Sequence, residues 1–164
     1  MAELQTQISF SPSFVPTAEH LEIREAIQIL PLDNVRQKLA EQGSLPEGVV
    51  DSAVLEYRKF LILAGMGFRH KLAMCSDAVD EVWHTHILFT MEYVSACNRI
   101  FGKYLHHKPQ LGENWGDKER VVGFCELYQR VFGELPVVWK ASADCNTIAC
   151  QTCVGEVSCV PGGN

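Results

Sequence analysis

The sequence predicts an all-α domain of about five helices, and three observations carry that expectation. Apolar residues recur at spacings of three and four through the middle of the chain. Glycine and proline fall where those periodic stretches stop, at Pro31, Gly43, Gly65, Gly102 and Gly133. A length of 164 residues with 47% apolar content suits one domain with a sizeable core.

In chain order, residues 1–16 hold two prolines and no period, and read as an arm. Thr17 caps a first helix carrying Leu21, Ile23, Ile27 and Ile29 and closed by Pro31. Residues 32–42 form a second, opened by Asp33, striped by Val35 and Leu39, and stopped by Gly43. Asp51 opens a third, with Val54, Tyr57, Phe60, Leu61 and Ala64 at helical spacing up to Gly65. Residues 65–75 read as a loop. Ser76 or Asp77 caps a fourth helix, whose stripe of Val79, Trp83, Ile87, Thr90, Val94, Cys97 and Phe101 runs to Gly102. Read as one rod, it is about 35 Å long at 1.5 Å per residue. Residues 104–115 form a loop, and Asp117 caps a fifth helix with Val121, Phe124, Cys125, Tyr128 and Phe132 inward. Val137, Val138 and Trp139 suggest a short extended piece. The helical domain is thus expected over residues 17–140, followed by a Cys-rich tail over 141–164.

Charge and composition narrow the function. Fourteen Lys+Arg against 20 Asp+Glu give a net charge of −6, which argues against nucleic acid or an anionic membrane as partner. No apolar run reaches the roughly 18 residues of a membrane helix. The N-terminus shows no basic and apolar signal pattern, so a cytoplasmic location is expected, where thiols stay reduced. Seven cysteines there point to metal, redox chemistry or buried thiols rather than disulfides.

The sharpest chemistry lies on the fourth helix, in Asp80-Glu81-Val82-Trp83-His84-Thr85-His86. With Trp83 at zero on the helical wheel, Asp80 falls at about +60° and His84 at about +100°, an i, i+4 pair that can touch. His86 falls at about −60°, on the opposite shoulder of the apolar face, in a different environment. There it has the character of a core histidine held by a hydroxyl. His106 and His107 follow the helix end, where the dipole favours imidazolium and a cationic cap is the ordinary reading. To share a metal with the helix histidines they would have to cross back roughly 22 Å of helix with about 17 Å of chain. That requires a loop doubling straight back, an early break in the helix, or a second chain. The candidate metal set is therefore Asp80, His84, His86, His106 and His107, with zinc or iron as the metals that suit imidazole and carboxylate.

These residues, with Tyr93, Cys97, Gly102 and the upstream Tyr57-x-x-Phe60-Leu61, also carry a resemblance. The stretch over residues 50–110 resembles the glycine-rich domain-containing protein family of plants and bacteria, in its Asp-x-x-Trp-His-x-His helix above all. The resemblance implies a soluble helical domain with no established biochemical role. It sets Asp80, His84, His86 and His106 on the family's polar motif positions and brings no catalytic mechanism. The last twenty residues echo the Gly/Cys-rich tail of bacterial members.

In that tail Cys145, Cys150, Cys153 and Cys159 are separated by four, two and five residues. The first three match the spacing of a plant-type ferredoxin loop, but a distant fourth ligand and a supporting sheet are lacking, which disfavours an iron–sulfur cluster. A four-thiolate zinc or iron site is a second candidate, against an unstructured, redox-active or modified tail. Cys97 and Cys125 fall on core stripes, whereas Cys75, just before a helix cap, stands where a thiolate is favoured.

No phosphate-binding glycine loop, nucleophile elbow or His-Glu-x-x-His appears. The residues therefore favour a cytosolic, non-enzymatic binding or regulatory domain with a His/Asp cluster for a divalent metal. One alternative is a metal-dependent enzyme with an open site of Asp80, His84 and one of His106 or His107. Another is a scaffold presenting the cysteine tail to a metal, a partner protein or a modifying enzyme.

Because every apolar stripe precedes Lys140, removing residues 145–164 is expected to leave the domain folded. Thermal melts of the full and shortened chains check this. A large fall in melting temperature would instead mean that the cysteines build a structural site.

Overall fold

Helix α1 (Ala18–Gln28) starts at Thr17, whose Oγ1 accepts from the His20 amide while His20 Nδ1 accepts from the Thr17 amide. The pair is a capping box with histidine in the place usually held by glutamate or glutamine. Helix α2 (Asp33–Gln42) ends at Gly43, and α3 (Val49–Gly65) follows. A 3-10 turn at Arg69–Lys71 leads to α4 (Asp77–Leu88), α5 (Thr90–Phe101) and α6 (Lys118–Phe132), with a second 3-10 turn at Val137–Trp139. This computed structural model describes residues 7–46, 48–107 and 118–139, and among them there is no strand. The all-α class is as the sequence predicts. Asp117 and the tail with its four cysteines lie outside the described residues.

Helix α3 is the centre of the fold and packs against α1, α2, α4 and both 3-10 turns. Most of its circumference is buried, including three consecutive polar or amphipathic residues, Glu56, Tyr57 and Arg58. Arg58 donates to the Ile27 and Leu30 carbonyls at 2.6 and 2.7 Å, satisfying acceptors at the end of α1. Glu56, 2% exposed, accepts from Lys59 Nζ, the Tyr128 hydroxyl and Trp139 Nε1 at 2.7, 2.5 and 2.7 Å. Burial, reinforced by the Glu56 carboxylate, pushes the Tyr128 hydroxyl pKa up, so it stays a donor. Around this network Phe60 packs against Trp83, Phe124 and Trp139.

Three expectations need correction. The fourth helix is not one rod: the chain leaves helical geometry at Phe89 (φ −81°, ψ 64°), giving α4 and α5 and, among the described residues, six α-helices. Beyond that elbow the inward face changes, so Thr90 and Val94 are exposed while Tyr93, Ala96 and Cys97 are buried. A straight rod would set Trp83 and Tyr93 about 15 Å apart along its axis, whereas across the elbow the Trp83 indole N–H reaches the Tyr93 hydroxyl at 2.9 Å. The segment over residues 137–139 is a 3-10 turn rather than extended, because the Trp139 amide bonds Pro136 O and its indole reaches Glu56. Cys75 is 1% exposed, packed in the core rather than offered as a reactive thiol.

Residues 7–16 of the expected arm lie against the domain. Ile8 is buried and its amide donates to Gln28 Oε1, while Ser11 N bonds Val131 O. No helix of the described residues is long and apolar enough to cross a membrane.

Replacing Glu56 by leucine strips the acceptor from Tyr128, Trp139 and Lys59 together. The expected loss is about 3–5 kcal/mol, the range for a broken buried ion pair, with Glu56→Gln losing less because it keeps an acceptor. Urea unfolding of both variants measures it, and a loss under about 1 kcal/mol for Glu56→Leu would show that the network contributes little.

Candidate functional site

Ser76 opens α4: its Oγ accepts from the Val79 amide and donates to Val138 O. This fixes the first turn, in which Asp80 stands where the helix dipole favours a carboxylate. His84 follows one turn later, with Nδ1 at 3.4 Å from Asp80 Oδ2. The Asp80–His84 proximity is what the i, i+4 spacing predicts.

The third member comes from the far side of the elbow. Gly102 ends α5 with a left-handed backbone (φ 64°), a conformation glycine adopts without strain, and the chain then runs back toward α4. Leu105 is buried, and His107 Nε2 lies 2.7 Å from Asp80 Oδ1. The His107 ring stands edge-on to Trp83 at 4.3 Å and beside His84 at 4.4 Å between centroids. One carboxylate thus faces two imidazoles, one through each oxygen. A ligand atom from each of Asp80, His84 and His107 lies within 4.8 Å of the others. His107 is almost covered and His84 is about half exposed, so the cluster opens on its His84 side.

Of the five candidate residues, the structure brings these three together and leaves two apart. His86 is 1% exposed, with Nδ1 at 2.9 Å from the Tyr57 hydroxyl and its ring edge-on to Tyr57 and Tyr93. Its Nε2 is buried without a hydrogen-bond partner among the described residues. Burial, and secondarily the Arg58 charge, pulls its pKa down to about 4, so the ring is neutral. It belongs to the core because two residues of helix turn it by about 200° from His84. His106 is exposed and packs on Tyr104, because successive residues of the extended loop point in opposite directions. The four tail cysteines fall outside the described residues.

The hydroxyl that holds His86 comes from Tyr57, which the sequence marks as a stripe position on α3 and as part of the Tyr57-x-x-Phe60-Leu61 pattern. Glu56 is not among the residues that the sequence singles out. A carboxylate next to a core stripe has no sequence mark separating it from a solvated one.

A family model described as UCP032817-like matches residues 26–120, more than half of the chain. No curated protein and no solved structure matches it significantly. The match replaces the resemblance to glycine-rich domain-containing proteins. The residues that suggested that resemblance do work many helical domains require: Cys97 fills core, Gly102 ends a helix and Trp83 bonds Tyr93.

His86 should make stability depend on pH. With its folded pKa near 4 and an ordinary value of about 6.5, the unfolded chain binds the extra proton first as pH falls. Its contribution is complete above about pH 6.5 and is lost progressively down to about pH 4, up to roughly 3 kcal/mol. The stability gap between the wild type and His86→Gln, from urea unfolding at pH 7 and pH 4, should shrink by about that amount. A gap independent of pH would contradict the assignment.

Proposed function

We propose that this chain, which belongs to the UCP032817-like family, is a divalent-cation-binding domain with its centre at Asp80, His84 and His107. The family description names no activity, so the reading rests on the chain's own residues. The single observation that carries it is the convergence of one carboxylate and two imidazoles, from two separate segments, within 4.8 Å. Nitrogen and carboxylate donors in this mixture suit zinc or iron.

Three protein ligands leave coordination positions for water or a further ligand. A bound cation would supply Lewis-acid polarisation there. The chain's own part is to hold the donors: the Ser76 cap fixes Asp80, the helix sets His84 above it, and Trp83 walls one side of His107. His84 is about half exposed and opens the cluster to solvent, which favours a surface-bound cation serving binding or regulation over an enclosed active site.

Zinc titration by calorimetry tests the reading, in a chain whose Cys145, Cys150, Cys153 and Cys159 are changed to serine so that thiolates do not compete. One zinc per chain is expected at pH 7.5. Asp80→Asn, His84→Ala and His107→Ala should each weaken binding about tenfold or more, about 1.4 kcal/mol, and His86→Gln should not. Absence of binding, or parent-like binding by the three ligand variants, would defeat the proposal.

A further inference from the structure

Residues 103–107 carry no helix, so their place against α4 depends on what side chains do to them. The Tyr93 hydroxyl lies at that junction. It accepts from Trp83 Nε1 at 2.9 Å and donates to the Leu105 carbonyl at 2.5 Å. Leu105 precedes His107 by two residues and its own side chain is buried. The same Trp83 whose indole N–H reaches Tyr93 lies edge-on against the His107 ring. One tyrosine on α5 therefore ties the helix that carries Asp80 and His84 to the loop that carries His107.

Tyr93 is suited to this. It is 1% exposed, and burial is the main cause that raises its pKa, so the phenol keeps the proton it donates. Ordering a free loop costs conformational entropy, a cost that falls on cation binding unless the loop is already held.

We infer that Tyr93 is a positioning residue for the Asp80–His84–His107 centre, clamping Leu105 and Trp83 so that His107 is presented before a cation arrives. The inference rests on the metal-binding reading above and adds to it the group that preorganises the site.

The test is again zinc titration of the chain with serine at the four tail cysteine positions. Tyr93→Phe should weaken zinc about tenfold, the scale of one lost hydrogen bond. Tyr57→Phe removes a hydroxyl from the other side of the same buried cluster without touching the loop. It should bind zinc within about twofold of the parent, even where its melting temperature falls as far. In a His107→Ala background, Tyr93→Phe should leave the residual affinity unchanged, a result that general loosening of the fold would not produce. Should Tyr93→Phe fail to fold, Trp83→Phe enters the same comparison, keeping an aromatic ring but lacking the indole donor. Parent-like affinity in the Tyr93 variant, equal losses in both tyrosine variants, or a loss that survives without His107 would overturn the inference. A parent chain that binds no zinc would remove the metal reading along with it.

Discussion

Three consecutive residues on α3 must each find hydrogen-bond partners inside the protein, and the rest of the fold is arranged around that requirement. Successive positions on a helix point about 100° apart, so burying Glu56, Tyr57 and Arg58 means covering α3 on three sides. Each partner comes from a different element. Glu56 takes Tyr128 from α6 and Trp139 from the last 3-10 turn, Tyr57 takes His86 from α4, and Arg58 takes the carbonyls ending α1. Apolar packing alone would let these elements slide. A buried polar group left unpaired costs about 1–3 kcal/mol, and this pins each element in register.

The elbow at Phe89 is the second requirement, and the candidate site follows from it. Because the chain turns there, Trp83 on α4 and Tyr93 on α5 meet in the core. The loop after Gly102 can then pass back over the first turns of α4, and His107 reaches Asp80 over a sequence gap of 27 residues. Where a straight rod would strand the late histidines, the break removes the distance that made a shared site strained.

The histidines separate by environment. His86, two residues from His84, sits in a site dry enough to keep it neutral, while His84 opens to solvent. His107 lies between the two extremes, covered by Trp83 and facing a carboxylate. The division follows from which neighbours each ring meets, since the three residues are chemically identical.

Local pattern by itself determined the helical class, most helix boundaries, the pairing of Asp80 with His84, and the separation of His86 from that pair. Each depends on helical periodicity or capping, both readable within a few residues. Tertiary structure alone decided the elbow, because no proline or glycine marks Phe89 and its turn is imposed by packing on both sides. It also chose His107 over His106, since which residue of a loop faces inward depends on where Tyr93 holds Leu105. And it turned Glu56 from a surface-like carboxylate into a buried anchor, because two of its three donors lie 72 and 83 residues away. Contacts across such distances leave no period in the chain; they exist only once the helices have packed.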